Sequence, residues 1–391
     1  MRVLRRFYSP FLTAVILTAV NTISQAEEIA PYFLGDRILI DGTINQQPIR
    51  FAFDTGASFS ALFGTAAERL HVDVESTRED VIAGHPVQTG FSKPVDFAMF
   101  GQEVKTGTRI LMSPGPSGID GVLGWRNVSA AMLLIDGHER KVGTLKELPT
   151  TGWQRWQLDK EALQLFFLVT KQGTPVGRVF VDTGAAVGLR LSPSLWKTWR
   201  DQNPGAGTTL ETFRYAVGDV MVHELAWADE YALGDLTFRN VDIGPIPEAK
   251  EDKAIDAQGN GYIAMVGIRA LRQLRMIISH RSNELLTQSL SLVPDHNRLG
   301  AVFLHGPDQG VGFVAHVLKD SPAERTGLKN GDVLLDINGV DFSTRRKDPE
   351  VNPASFVSQP AGTQLSLKVS RAGVTHELSV RLQNLIGAEA D

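Results

Sequence analysis

Two segments of this 391-residue chain are written on one pattern, and that duplication constrains the fold more than any other feature. Residues 38–54 read ILIDGTINQQPIRFAFD, and residues 166–182 read FFLVTKQGTPVGRVFVD. Each is an apolar strand, a polar glycine-containing turn and a second apolar strand ending in aspartate, the pattern of a β-hairpin. Both continue with Thr-Gly-Ala, as Asp54-Thr55-Gly56-Ala57-Ser58 and Asp182-Thr183-Gly184-Ala185-Ala186. Further on, Met99-Phe100-Gly101-Gln102-Glu103 has a counterpart in Ala232-Leu233-Gly234-Asp235-Leu236. Gly121-Val122-Leu123-Gly124 likewise matches Ala264-Met265-Val266-Gly267. A helical-looking stretch and a short apolar strand, Met132 to Ile135 and Met276 to Ile278, follow each of these glycines. The order of elements is preserved, so the chain carries a duplicated lobe rather than a solenoid.

The length exceeds one ordinary core and predicts two or three domains. With 42% hydrophobic and 21% charged residues the chain has a globular composition, and its 37 glycines and 19 prolines favour many short strands joined by turns. Arg2, Arg5 and Arg6, the apolar stretch Phe11 to Val20 and the small-residue site Ser24-Gln25-Ala26 predict a cleaved signal peptide over residues 1–26. That apolar stretch is shorter than the ~20 residues that span a bilayer, so no stable span is expected in the mature form. The chain is therefore expected to be exported, to the periplasm or beyond. It contains no cysteine, so packed cores rather than disulfides must hold it. Its formal charge of -5 argues against nucleic acid as a partner, and losing the three leader arginines makes it more acidic.

One Asp-Thr-Gly triplet is a weak signal, since roughly 0.1 copies are expected by chance in such a length. Two copies, each closing an apolar hairpin and each followed by an apolar-apolar-Gly element, are far more specific. Peptide hydrolysis without metal or covalent nucleophile needs a base to activate water and an acid to protonate the carbonyl or leaving amine. Two carboxylates about 3 Å apart can do both, because they share one proton. The glycine allows a sharp turn and leaves room beside the carboxylate. The threonine supplies a hydroxyl able to bond into the other lobe.

On these residues the sequence resembles the aspartic peptidases, and the retropepsin-like branch more than the pepsin branch, over roughly residues 30–290. The resemblance implies an internal pseudo-dimer with Asp54 and Asp182 as catalytic pair and Thr55 and Thr183 as interlocking hydroxyls. Gly56, Gly184, Gly124 and Gly267 are its supporting glycines, the last two on apolar loops beneath the aspartates. Ala57 and Ala185 stand where pepsin-like enzymes usually carry a hydroxyl. Loss of that donor predicts a raised carboxylate pKa and activity at less acidic pH than a pepsin. Two segments are candidates for a flap over the site, Val81 to Gly90 and Tyr215 to His223.

His223-Glu224 lacks the second histidine of a zinc-peptidase helix, because position 227 is Trp, so no metal ligand set is expected. No serine sits in a nucleophile-elbow pattern. Trp196 and Trp199 read as packing residues. From Asn297 to Leu385 the sequence resembles a PDZ domain, carried by Leu299-Gly300-Ala301-Val302, by Gly312-Phe313-Val314-Ala315-His316-Val317 and by the run Ser321 to Gly339. Ser321-Pro322 predicts a capped helix start and Asn338-Gly339 a tight turn. The resemblance implies that Leu299, Gly300, Ala301 and Val302 form a loop receiving the C-terminal carboxylate of a peptide.

The expectation is a mostly β chain: a signal peptide (1–26), two retropepsin-like β-barrel lobes (27–155 and 156–292) and a PDZ domain (293–387). Its expected function is endopeptidase action on extended polypeptides without a cofactor, the PDZ domain tethering substrate or partner. The alternative is a non-catalytic peptide-binding adaptor; the presence of both aspartates favours the enzyme.

Overall fold

In a computed structural model of the chain the two hairpins form as the pattern predicts. The structure describes residues 27–386 apart from 30–32, 35–36, 83–84, 116–117, 129–131, 138–140, 215–219, 247–253, 256–260, 272, 290–295, 306–311 and 344–352. The expected signal peptide and the tip of the second flap candidate lie outside the described residues.

The first hairpin joins Arg37–Ile44 to Gln47–Asp54 in the register Ile38↔Phe53 and Ile40↔Phe51. Ile38, Ile40, Ile44, Ile49, Phe51 and Phe53 are all buried, so strand alternation places one face in the core. The turn falls at Asn45-Gln46, both with positive φ, and not at Gly42. Asn tolerates that left-handed geometry, which matches the twist of the flanking strands. Gly42 instead lies within a strand, where an added Cβ would come 2.7 Å from the carbonyl oxygen of Ala98. The second hairpin joins Phe166–Lys171 to Thr174–Asp182 and turns at Gln172-Gly173.

Each aspartate strand next pairs in parallel with the apolar-Gly segment of its own lobe. Asp54 aligns with Gly124 on strand Gly121–Gly124, and Asp182 with Gly267 on strand Ala264–Gly267. These segments were expected to be loops. They are strands because their other edges are taken as well, by Ala61–Phe63 and Leu189–Leu191. The outer layers differ between lobes. The second lobe runs Val220–Leu233 and Leu236–Pro245 as long antiparallel strands. The first lobe breaks the same course into His85–Ser92 and Val95–Met99, then Gln102–Thr106 and Arg109–Leu111. Pro94, which has no N–H to give to a ladder, sits at the first break.

An antiparallel platform joins the lobes, in the order Glu27–Ile29, Lys141–Thr144, Met132–Asp136, Leu274–Ser279, Glu284–Ser289 and Gln154–Leu158. The register Leu133↔Ile278 and Ile135↔Met276 carries it from one lobe to the other. Met132, Leu134, Ile277 and Leu286 pack on one face, while Leu133, Ile135, Met276 and Ile278 join the main core on the other. The expected junction of the lobes at residues 155 and 156 is therefore no simple linker. Its strand Gln154–Leu158 pairs with both Glu284–Ser289 and Phe166–Lys171, and a boundary after residue 155 cuts through it.

The C-terminal unit is a separate sheet of Ala301–His305, Phe313–Val317, Val333–Ile337, Val340–Asp341, Gln364–Arg371 and Val374–Arg381 over its own core. Ser321 caps the short helix Pro322–Arg325 by accepting from the Glu324 N–H, and Asn338-Gly339 turn between paired strands. This unit docks on the second lobe. Leu385 and Ile386 pack with Leu225 and Trp227, and the Thr209 hydroxyl donates to the carbonyl of Asn297 at 2.9 Å. Among the described residues no helix is long and apolar enough to cross a membrane.

The docking depends on a bare backbone at Gly207, where a Cβ would lie 2.1 Å from the Leu385 carbonyl oxygen. Gly207→Ala is expected to loosen the C-terminal unit without unfolding either part, read as faster limited proteolysis between residues 290 and 297. An unchanged cleavage rate would show that the contact does not hold the two together.

Candidate active site

Asp54 and Asp182 stand at the ends of their strands, where the chain must turn away from the parallel pairing. The turns bring the two lobes together backbone to side chain. A Cβ added to Gly56 would lie 2.6 Å from the Asp182 carboxyl carbon, and one added to Gly184 would lie 2.5 Å from that of Asp54. Each aspartate therefore occupies the space that the opposite glycine leaves empty. This is a stricter demand than the turn geometry on which the glycines were predicted.

The threonines form a closed hydrogen-bond network. The N–H of Thr55 donates to Thr183 Oγ1 and the N–H of Thr183 to Thr55 Oγ1, both at 3.0 Å. The Thr55 hydroxyl donates to the Val181 carbonyl at 2.6 Å and the Thr183 hydroxyl to the Phe53 carbonyl at 2.9 Å. Both threonines are fully buried. Gln164 adds a bond to the Gly56 carbonyl, and the Leu165 N–H one to the Thr55 carbonyl.

Burial raises the pKa of both carboxyls above the ordinary value of 3.8. For Asp182 the charge of Asp54 adds to burial, which carries it well above that value. The N–H groups of Gly184 and Ala185 offset part of the rise. For Asp54 the Gly56 N–H, the hydrogen bond with Asp182 and the Arg37 guanidinium oppose the rise. The two carboxyls therefore titrate as a unit, and burial and mutual repulsion favour one shared proton.

The loops that follow the aspartates are braced differently. In the first lobe the Gly124 N–H donates to Ser60 Oγ, whose hydroxyl donates to Asn127. At the matching place in the second lobe stands Gly188, which has no side chain to offer. Its carbonyl accepts from the Gly267 N–H, and its own N–H donates to Asp242 Oδ2 at 3.1 Å. None of Ser60, Gly188 or Asp242 was singled out from sequence, and Asn127 was not read as a brace. The repeat contained one usable signal: Arg126 and Arg269 occupy the same place after their glycines. Arg126 reaches the Lys160 and Ala162 carbonyls, while Arg269 reaches Glu211 and Asp242.

A cavity of about 540 Å³ lies in the first lobe, lined by Phe59, Ser60, Phe91, Phe97, Phe100 and Arg109 among others. Neither Asp54 nor Asp182 lines it, so it flanks the first brace rather than the carboxylates. The first flap candidate lies on the hairpin of Val74–Ile82 and His85–Ser92, the second on that of Thr208–Arg214 and Val220–Leu233. Trp196 and Trp199 stack at 5.4 Å on the helix Pro193–Gln202. Among the described residues no group of three or more His, Cys, Asp or Glu is placed to hold a metal ion.

In the C-terminal unit the amides of the expected carboxylate loop already have a partner within the chain. The N–H groups of Leu299 and Gly300 both donate to Asn297 Oδ1, at 3.0 and 3.1 Å. Asn297 in turn donates to the carbonyls of Ala301 and, in the second lobe, Leu210. Leu299 and Ala301 are fully buried and Val302 is partly exposed, so a peptide carboxylate would have to displace the Asn297 side chain first.

Two measurements test this geometry. Thr55→Val or Thr183→Val leaves buried backbone groups unpaired, so each is expected to cost about 1–3 kcal/mol in urea unfolding. The double variant should cost less than the sum, because one network is broken twice. The raised pKa of the pair gives a sign as well. A folded-state pKa above the unfolded one contributes stability below the unfolded value of 3.8, and that stability is lost as pH rises through the folded value. Asp182→Asn removes the loss, so its melting temperature relative to the parent should climb as pH rises above the unfolded value of 3.8. A difference independent of pH would rule out a buried, mutually repelling pair.

Residues 40–126 match the aspartyl protease family, and residues 289–369 match the PDZ domain family. Among curated proteins, a probable periplasmic serine protease do/HhoA-like of Haemophilus influenzae is 35% identical over 85 residues, covering 22% of this chain and 17% of that protein. A probable periplasmic serine endoprotease DegP-like of a Marinomonas species is 34% identical over 89 residues, covering 22% and 18%. The chain thus spans under a fifth of the length of these relatives. Among solved structures it is similar to the aspartic proteinase from Irpex lacteus, at 10% identity and a TM-score of 0.42, over 65% of this chain and 94% of that one. The chain joins a retropepsin-like aspartyl protease domain to a C-terminal PDZ domain.

Proposed function

We propose that this chain is an exported aspartic endopeptidase that hydrolyses extended polypeptides at the Asp54–Asp182 pair. One observation carries the reading: the two carboxyls, desolvated and coupled, each rest against the opposite lobe's glycine. Such a pair holds one proton. The ionised carboxylate of the pair takes a proton from a water between the carboxyls as that water attacks the scissile carbonyl. The protonated carboxyl gives its proton to the carbonyl oxygen. The resulting diol collapses when the carboxyl now protonated gives its proton to the leaving amine and the other takes one from a diol hydroxyl, which restores the starting state.

The names of the relatives are consistent with a periplasmic setting, and the signal-peptide pattern supports export. Their serine-protease names do not supply a serine mechanism here, since the match is confined to under a fifth of their length. The PDZ domain supports a peptide ligand or a tethered substrate, reached once Asn297 has moved.

Asp54→Asn and Asp182→Asn are each expected to lower hydrolysis of an unfolded protein by roughly 10²–10⁴-fold while the fold persists. A serine-directed acylating reagent should have no effect, and a mimic with a central hydroxyl should inhibit. Full activity in either Asn variant would sink the assignment. The optimum is expected above about pH 3, because both pKa values are raised.

A further inference from the structure

The second lobe contains a buried group of four charges that the proposed chemistry does not use. Arg190, Glu211 and Asp242 are 1%, 6% and 3% exposed, and Arg269 closes the group. Arg190 and Arg269 each bond both Glu211 and Asp242, so two guanidiniums face two carboxylates and the group is neutral. Burying four charges is costly unless all are paired, and it is weak evidence for stability. In the first lobe the residue at the place of Arg190 is Leu62, fully buried, as the registers Ala61↔Arg109 and Leu189↔Ile243 show. Those registers set Thr108 at the place of Asp242. The barrel therefore closes without the charges, and packing alone does not call for them.

What the group reaches is the loop carrying the second aspartate. Asp242 Oδ2 accepts from the Gly188 N–H, from Arg190 and, at 2.6 Å, from Arg269. A Cβ on Gly188 would lie 2.0 Å from Asp242 Oδ1, so the carboxylate lies flat on the glycine. From the other side the N–H groups of Gly267, Ile268 and Arg269 donate to the carbonyls of Gly188, Ala185 and Val187. The loop after Asp182 is thus gripped by backbone on one face and by one carboxylate on the other. In the first lobe the loop is tied instead by Ser60, whose hydroxyl oxygen accepts from the Gly124 N–H.

We propose that Asp242, held by Arg190, Arg269 and Glu211, is a positioning residue that fixes the Asp182 loop for the reaction. Burial by itself would raise its pKa. The guanidiniums of Arg269 and Arg190 outweigh that and hold it at about 2, so it accepts from Gly188 at every working pH. Having no net charge, the group can brace the loop without adding a field that would draw the shared proton off the pair.

The inference rests on the proposed function for its catalytic half only, and its test is built to separate the two. In the full chain, Arg190→Leu/Asp242→Asn keeps the charge balance and an oxygen where Oδ2 accepts, and puts an amide at Oδ1, which has no hydrogen-bond partner among the described residues. Asp242→Val removes the acceptor but strands the arginines and can unfold the lobe. The charge-balanced Arg190→Leu/Asp242→Val keeps Arg269 paired with Glu211 and restores the first lobe's Leu62 shape. Amide exchange over residues 182–188 is read together with kcat and KM on an unfolded protein.

The Val double variant is expected to exchange at least about tenfold faster in that loop and to lose roughly 10- to 100-fold in kcat, with KM within about twofold, the size expected of a misplaced reacting group. The Asn double variant, which keeps the acceptor at the same charge, should stay near the parent in both. Unchanged loop exchange in the Val double variant overturns the proposal, and so does faster exchange with unchanged kcat. The Asn double variant behaving like the Val one also overturns it, since the acceptor would then not be what matters. A parent that hydrolyses nothing sinks the proposed function, while the exchange readout still decides the brace for or against.

Discussion

The closed bond network between Thr55 and Thr183 is the interaction on which the rest depends. Each hydroxyl accepts from the opposite lobe's N–H and donates to that lobe's carbonyl, so two side chains satisfy four backbone groups that water cannot reach. The network fixes the two turns against each other, and the turns set the distance between the carboxyls. The cross-lobe contacts of Gly56 and Gly184 follow from that closeness. Desolvation and mutual repulsion of the pair follow in turn.

Around this near-symmetric centre the lobes solve one problem in two ways. A loop carrying a catalytic-type aspartate needs its backbone amides satisfied and its course held. The first lobe uses Ser60 and Asn127, neutral groups that carry little desolvation cost. The second has a glycine at that place and uses a carboxylate, and a buried carboxylate needs cations, which need further anions. Four charges are the smallest neutral set that lets both Arg190 and Arg269 lie within reach of Asp242. The same divergence marks the outer strands, continuous in the second lobe and broken at Pro94 in the first.

The strand Thr208–Arg214 ties these features to the C-terminal unit. Thr209 and Leu210 bond Asn297, and the next residue, Glu211, belongs to the charge group. Asn297 meanwhile occupies the amides of Leu299 and Gly300. A few consecutive residues thus touch both the PDZ loop and the brace of the second aspartate. One asparagine thus serves both the docking contact and the amides of that loop.

Much of the fold was legible in the sequence, because period-two alternation, turn residues and the repeated Asp-Thr-Gly are local. The two hairpins, the short apolar strand after each glycine, the capped helix at Ser321 and the Asn338-Gly339 turn are of this kind. Threonine as an interlocking hydroxyl was legible by its matched position. The strand Gln154–Leu158 was not, since its mostly polar residues give no local strand signal and two distant neighbours supply its partners. The turn at Asn45-Gln46 went unread because Gly42 looked the better turn former, while register put that glycine against Ala98. Arg190, Glu211, Asp242 and Arg269 are separated along the chain by other strands, and isolated charges in a sequence read as solvated. By itself the sequence determined that two equivalent aspartate turns exist, because their pattern is written in neighbouring residues. Only the tertiary structure decided what braces each turn and what fills the PDZ loop, because both depend on long-range contacts that no local pattern encodes.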